Sequence, residues 1–280
     1  MFKSVISKYF TDQEHYFSFG KEYRDVSRFK RDINTGFLPE INRIFKKYNI
    51  IFNDKFSKMN SHMTFSCTCK DNNSIIITIY LDDENQPKYI YIDYLVSCKV
   101  ENDEIKGGDI LTNIIQLKED IGAEYIKLMD VSFKVVNKCR LNLAIFKIIT
   151  SVDGFSWYNK YGFFSKNHAD NIRNNLQNRT ITFSTLIENI KPVHHQVKIY
   201  YFTEKYTIHR GTTIRSYFLS VQHSLIHFTS TINSEFIYDL NDLLELLVNS
   251  GIIQYDNVLY YKSGTYLTST DIDDIDLSFL

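Results

Sequence analysis

The chain contains little proline, glycine and cysteine, and it lacks both a long apolar run and an excess of charge of either sign. Only 3 Pro and 10 Gly occur in 280 residues, which argues against long disordered linkers. With 32 basic and 33 acidic residues the net charge is −1, so no field attracts nucleic acid unless a local patch exists. A dedicated nucleic-acid binder is therefore a disfavoured function class.

Membrane and secretory features are also missing from the sequence. No window reaches the roughly 20 apolar residues that span a bilayer, and the first ten residues lack the continuous apolar core of a signal peptide. The cysteines show neither a CxxC pair nor the density of a secreted disulfide scaffold. We therefore predict a cytoplasmic protein with no membrane partner. Cys67 and Cys69 share a strand face, but no matching ligand pair accompanies them, so no metal site is predicted.

The composition is typical of a globular protein. Hydrophobic residues make up 44% of the chain and aromatic residues 15%, enough to bury a substantial core. Ile, Asn, Lys and Tyr are abundant and Ala is scarce, a pattern typical of the AT-rich coding DNA of large DNA viruses and some protists. A viral protein, in the host cytoplasm or the virion, is the corresponding hypothesis about origin.

The N-terminal half predicts an α+β arrangement. Residues 28–48 suggest two short helices, and residues 63–100 read as three strands of an antiparallel meander. A glycine turn then leads into a helix with Asp109 as its cap and Gly122 at its end. A strand over 124–131 and an apolar helix over 141–149 follow. The expected fold is a mixed, mostly antiparallel sheet flanked by helices.

A crowd of asparagines over residues 166–179 predicts a domain boundary. We expect one domain over 1–172 and a smaller C-terminal α+β domain over 180–280. The C-terminal domain is predicted to hold a strand at 196–203, a helix at 240–249 and a hairpin at 252–261. It is the expected surface for a protein partner or for covering a substrate.

The order of elements over 85–165 resembles the acyl-CoA-binding half of GNAT N-acyltransferases, as known in giant-virus GNAT-like proteins. The resemblance rests on three strands, a glycine turn, a helix, a strand, a second helix, and an aromatic run at 157–163 that ends in Gly-Phe. It covers about a third of the chain. It implies a GNAT-like fold in the N-terminal domain.

The resemblance also implies a function and a set of site residues. The cofactor would be acetyl-CoA or another acyl-CoA, and the acyl group would pass to an amine on an acceptor of unknown identity. Tyr158 matches the tyrosine that protonates the departing thiolate, a general-acid role. The positions matched to cofactor binding are Leu95, Val96 and Ser97 in the pantetheine strand, Lys106, Gly107, Gly108 and Ile110 in the pyrophosphate turn, and Asn142 on the following helix.

Several alternatives remain open from the sequence. Asp109 at the helix entrance would compete with pyrophosphate for the same amides, and no general base stands out. Both observations favour a catalytically inactive GNAT-fold protein with a structural or interaction role, for example in a viral particle. Residues 208–212 and 228–231 resemble the Arg-Gly and Ser-Thr-Ser elements of ADP-ribosyltransferases, but the Glu-x-Glu of that family is absent. Residues 240–261 resemble a winged-helix module, with an acidic helix of the wrong sign for phosphate.

Overall fold

The computed structural model describes residues 15–17, 37–46, 50–54, 62–69, 74–83, 86–95, 97–100, 103–227 and 232–262. The strands are β1 (His15–Phe17), β2 (Asn53–Asp54), β3 (His62–Thr68), β4 (Ser74–Leu81), β5 (Pro87–Tyr94), β6 (Cys98–Val100), β7 (Asp103–Ile105), β8 (Tyr125–Met129), β9 (Ser132–Val136), β10 (Cys139–Asn142) and β11 (Val258–Tyr261). The α-helices are α1 (Leu38–Phe45), α2 (Gly107–Ile121), α3 (Leu143–Thr150), α4 (His168–Asn178), α5 (Phe183–Asn189), α6 (Val193–Lys205), α7 (Ile214–His227) and α8 (Ser234–Asn249). A 3₁₀-helix covers Tyr158–Tyr161.

The predicted α+β class and the mostly antiparallel sheet are confirmed. Six strands form the central sheet in the order β11-β8-β5-β4-β3-β2. The predicted meander corresponds to β3, β4 and β5, each antiparallel to the next. In β4, Ile75, Ile77 and Ile79 are fully buried, while the residues between them face the other side of the sheet. The three isoleucines therefore anchor this strand in the hydrophobic core.

One connection in this sheet is a parallel crossover. The chain leaves β5, passes through the short β6–β7 hairpin and helix α2, and returns as β8, which pairs in parallel with β5. Helix α2 packs its apolar face on the sheet through buried residues that include Ile110, Leu111 and Ile114. It ends, as predicted, at Gly122, whose φ of 73° lies in the left-handed region that glycine adopts without strain.

A second small sheet, of order β1-β9-β10, was not predicted. Strands β9 and β10 form a hairpin whose turn residues, Asn137 and Lys138, both have positive φ. Asparagine tolerates this conformation better than most residues do. Asn142, the last residue of β10, is the N-cap of α3. Helix α3 therefore begins at Leu143, two residues later than predicted.

The C-terminal predictions are partly wrong. Residues 196–203, predicted as a strand, lie inside α6. The predicted hairpin over 252–261 is replaced by β11 alone, which pairs antiparallel with β8 and completes the edge of the central sheet. The predicted helix at 240–249 is confirmed as the greater part of α8. Of the two helices predicted over 28–48, α1 is described, and residues 28–36, 47 and 48 lie outside the described residues.

Buried hydrophobic residues form two clusters. The first lies between the central sheet, α1 and α2, and it includes Tyr158 and the β11 residues Leu259 and Tyr261. The second joins α3, α5, α6, α7 and α8 with parts of β9 and β10. The clusters thus do not follow a single cut in the chain, since β11 returns to the first cluster. A boundary between 172 and 180 stays a prediction.

Candidate functional site

The predicted pyrophosphate turn lies at the start of α2. Lys106 is the exposed residue before the helix, and its carbonyl accepts hydrogen bonds from the amides of Asp109 (3.0 Å) and Ile110 (3.2 Å). The Ile110 amide is therefore used inside the helix, and Ile110 itself is fully buried. The predicted cap role of Asp109 is wrong, because Asp109 is the third helical residue and its exposed side chain lies in the first turn.

An aromatic side chain covers the first turn of this helix. A β-carbon built on Gly108 would overlap the Tyr161 hydroxyl oxygen and would lie 3.1 Å from its Cζ. Tyr161 is half-buried, and both burial and the nearby Asp109 raise its pKa. Its ring packs against Trp157 at a centroid distance of 4.8 Å. The space on the Cβ side of Gly108 is occupied by a phenol from the 3₁₀-helix.

Tyr158, the predicted general acid, is completely buried. Its hydroxyl oxygen has no contact with solvent, and its ring packs edge-on against Trp157 at 4.9 Å and Phe163 at 6.1 Å. Burial raises the pKa of Tyr158 well above its ordinary value, and the neighbouring Asp130 and Tyr255 raise it further. The phenol is thus protonated at neutral pH but lies inside the first hydrophobic cluster.

A small polar cavity lies next to this tyrosine, behind the end of β8. It has a volume of about 30 Å³, space for a water molecule or two but not for a pantetheine arm. Asp130 lines it, fully buried, and accepts hydrogen bonds from the Ser132 hydroxyl (2.7 Å) and amide (3.2 Å). Burial raises the pKa of Asp130. His168 also lines the cavity, and burial lowers its pKa to about 3.

The remaining predicted cofactor positions are placed as follows. Leu95 is fully buried, Ser97 is half-buried, and Val96 lies outside the described residues. Pairing between β5 and β8 ends at Ile92–Leu128, three residues before Leu95 and one residue before β8 itself ends at Met129. The Asn142 side chain caps α3 by accepting a hydrogen bond from the Ile145 amide at 3.1 Å. The side-chain oxygen of Asn142 is therefore already used within the fold.

The other sequence patterns also receive a structural explanation. Residues 208–212 form the turn between α6 and α7, where Arg210 pairs with Glu204 at 3.2 Å and stacks on Tyr200 at 5.0 Å. Residues 228–231 lie outside the described residues. Cys67 is a buried free thiol and Cys69 is disulfide-bonded, which the sequence did not lead us to expect. Across the described ranges, no three His, Cys, Asp or Glu side chains are grouped to hold a metal ion.

A larger concave site, missed from the sequence, lies between α6 and α8. It has a volume of about 340 Å³. Its lining combines an apolar floor with a charged rim: Lys198, Ile199, Tyr201, Phe202, Lys205, Asp239, Asp242, Leu243 and Leu246. The signal that could have revealed it is the spacing of Ile199 and Phe202, which places both on one helix face, whereas their aromatic and β-branched neighbours suggested a strand.

Within the part of the chain that the structure describes, no helix combines the length and hydrophobicity needed to span a bilayer. No protein-family model, curated protein or solved structure matches the chain. The function is therefore inferred from the arrangement of its own residues.

Proposed function

We propose that the protein has a GNAT-like fold in its N-terminal part and acts as a non-catalytic structural or interaction component, without turning over acyl-CoA. The order of elements supports the GNAT-like fold. The antiparallel meander β3–β4–β5, the glycine start of α2 and the parallel return of β8 occur in the order that the resemblance implies.

One observation carries the non-catalytic role: the two tyrosines of the 3₁₀-helix pack into the fold, one against Gly108 and one inside the first hydrophobic cluster. Tyr161 packs against Gly108 in the first turn of α2, the helix end at which the resemblance implies diphosphate binding. Tyr158, which would have to reach a departing thiolate within about 3 Å, is enclosed by aromatic neighbours. Asp109 adds a negative charge at the same helix end, where it opposes a phosphate.

A thermal-shift titration with acetyl-CoA and with CoA tests this proposal. A ligand that binds the native state raises its melting temperature in proportion to the logarithm of its concentration. We expect no shift with either ligand up to millimolar concentration. Tyr161→Ala is the informative variant, because it empties the space beside Gly108 while leaving the backbone of α2 in place. A shift in the unmodified protein would show that acyl-CoA binds and would remove the observation on which the non-catalytic role rests; turnover of acetyl-CoA by that protein would overturn the role itself.

The second candidate is the N-acyltransferase itself, and the end of the pairing between β5 and β8 favours it. Beyond Ile92–Leu128 β5 continues without a pairing partner from β8, and the resemblance implies that pantetheine binds along such a strand end. On this hypothesis acetyl-CoA shifts the melting temperature. Tyr158→Phe then lowers kcat by about 10²-fold or more with little change in CoA affinity, the magnitude typical of general acid catalysis. An unchanged rate would remove Tyr158 from the reaction.

A further inference from the structure

The outer faces of α6 and α8 carry more than half of the large hydrophobic side chains that are exposed in the described chain. Nine large hydrophobic side chains are exposed in the described ranges, and five of them lie on these two helices: Val193, Val197, Tyr200, Tyr201 and Tyr238. On α6 they recur at helical spacing and form one stripe, with Val193 and Tyr201 both 68% exposed. Apolar and tyrosine-rich patches of this kind mark interaction surfaces more often than free surface.

The stripe borders the groove of about 340 Å³ between the two helices. Lys205 closes one end of this groove by binding Glu235 at 2.5 Å and Asp239 at 2.7 Å. Because these contacts join the C-terminal end of α6 to the N-terminal turns of α8, the two helices run antiparallel. Toward the other end of the groove the floor is open, formed by Ile199, Phe202, Leu243 and Leu246.

Two rim charges remain unused along the groove. Lys198 on α6 and Asp242 on α8 are both exposed groove residues, and neither makes an ion pair within the described ranges. They carry opposite signs and lie on opposite walls. A surface with one cation on one helix and one anion on the other is complementary to its own copy, as an isologous two-fold interface requires.

We infer that this face of α6 and α8 binds a second copy of the chain. A two-fold axis along the groove places α6 of each copy over α8 of the other. Lys198 then faces the second copy's Asp242 twice, once on each side of the axis, and Tyr201 lies near the second copy's Tyr238. The inference goes beyond the proposed function, because a dimer is compatible with either outcome of the acetyl-CoA titration.

The size of the face sets the expected strength. Helix α6 has 13 residues and α8 has 16, so at 1.5 Å per residue the face is roughly 20 Å long and about as wide. Two such faces bury roughly 800 Å² in total, less than the about 1,200 Å² at which stable specific interfaces begin and in the range of weak, transient ones. We therefore expect a dimer that dissociates at micromolar concentration.

Sedimentation velocity of the full chain between about 1 and 100 μM tests the inference. We expect the mass to rise from monomer to dimer across this range. Tyr201→Glu places a charge in the apolar stripe at an exposed position, so the fold should survive and the dimer should be lost. A monomer at every concentration, or an unchanged dimer in the folded Tyr201→Glu variant, overturns the assignment.

A charge exchange identifies the second copy as the occupant. Lys198→Glu and Asp242→Lys each create two like-charge pairs across the axis, and each should raise the dimer Kd by about tenfold or more. The double variant recreates both pairs with reversed signs and should restore the Kd to within about threefold of the original. Lys88→Glu, an exposed charge reversal on β5, is the matched control and should leave the Kd unchanged. Failure of the double variant to recover would exclude this two-fold pairing.

Discussion

At the scale of single residues, buried carboxyl groups make the stability of this protein depend on pH. Asp93 in β5 accepts a hydrogen bond from the Thr78 hydroxyl at 2.6 Å, and Thr78 in turn meets Thr64 at 2.9 Å. The Thr78 bond favours the ionised carboxylate, but the loss of water around the group outweighs it. The net result raises the pKa of Asp93 to about 6 from an ordinary value of 3.8.

Asp93→Asn is the first prediction. Because the folded pKa is raised, the folded protein binds more protons than the unfolded chain between about pH 4 and 6, so this group lowers stability as pH rises through that window. Asparagine still accepts from Thr78 and carries no charge. We expect the variant to be more stable than the original by roughly 1–3 kcal/mol at pH 7.5, with the difference vanishing near pH 4.

Urea denaturation at pH 4, 6 and 7.5 measures this difference. Asp83→Asn, at an exposed turn residue, controls for the change in net charge alone. His168 contributes in the opposite direction, since burial lowers its pKa to about 3 and its stability contribution is lost as pH falls below the ordinary value of 6.5. The comparison of variant with original removes that background. Equal stabilities at pH 7.5 would contradict the prediction.

Asn142 provides the second prediction. Its side chain caps α3, and its backbone amide donates to the Asn241 side chain at 2.9 Å, which also binds the Arg140 carbonyl at 2.7 Å. Asn142→Ala removes the cap and should cost about 1 kcal/mol, whereas Asn142→Asp keeps an acceptor and should cost less. Chemical denaturation distinguishes the two. Identical losses in both variants would mean that the cap contributes nothing.

At the scale of secondary-structure elements, one arginine holds the end of α3. Arg179, just after α4, is buried and donates to the carbonyls of Ser151 (2.5 Å) and Val152 (2.7 Å), with longer contacts to Ile148 and Ile149. These carbonyls belong to the last turn of α3 and the residues that follow it, where helices leave acceptors unsatisfied and favour a positive charge.

The third prediction is therefore that Arg179→Met destabilises the protein by roughly 2–4 kcal/mol, because several buried acceptors lose a charged donor at once. Arg179→Lys should recover only part of this, since one ammonium cannot reach both carbonyls in the same geometry. Arg173→Met is the control. Arg173 is an exposed arginine on α4, and its replacement should change stability by less than about 0.5 kcal/mol. Thermal and urea denaturation of the three variants provide the test.

Elements were predictable from the sequence where local pattern and packing agree. The meander was predictable because β3 alternates strictly and β4 is a short run rich in β-branched residues, and α2 because an apolar helical face ends at Gly122. Helix α6 was not predictable, because its tyrosines and valines favour strands intrinsically. The helical conformation depends on the tertiary packing of Ile199 and Phe202 in the second cluster. Strands β9 and β10 are short, and their positive-φ turn has no glycine.

The sequence predicted which residues belong to the candidate site, but not whether their side chains are buried or which residues they contact. The sequence places Tyr158 and Tyr161 one helical turn apart after a loop, and either could have faced a cleft. Their contacts depend on where the 3₁₀-helix docks against α2, a long-range packing choice with no local signal. The groove between α6 and α8 depends likewise on a long-range contact, in which Lys205 binds Asp239 across 34 residues of sequence.

At the scale of the whole molecule, the chain returns to its first cluster at the end. Strand β11 hydrogen-bonds to β8 on one side, and Tyr260 exchanges two 2.8 Å backbone hydrogen bonds with Phe164 on the other. Leu259 and Tyr261 are buried in the first hydrophobic cluster. The central sheet, built mainly from residues before 130, thus depends on residues that follow all the helices.

Truncation after Asn257 is the fourth prediction. Loss of β11 removes two buried side chains, about 3–6 kcal/mol of apolar burial, against a total stability of about 5–15 kcal/mol for a domain. We expect a chain that unfolds at much lower temperature or lacks a cooperative transition. Truncation after Lys262 keeps β11 and is the matched control. Calorimetry that gives the same transition for both truncations would show that β11 is dispensable.

The single tryptophan of the chain has a position with practical value. Trp157 lies between Tyr158 and Tyr161, and the Lys160 ammonium is 5.1 Å from the centre of its ring. Any molecule that enters beside Gly108 must displace the Tyr161 ring and so change the surroundings of the indole. The intensity and wavelength of its fluorescence emission therefore act as a built-in optical reporter for this helix start, with no label required.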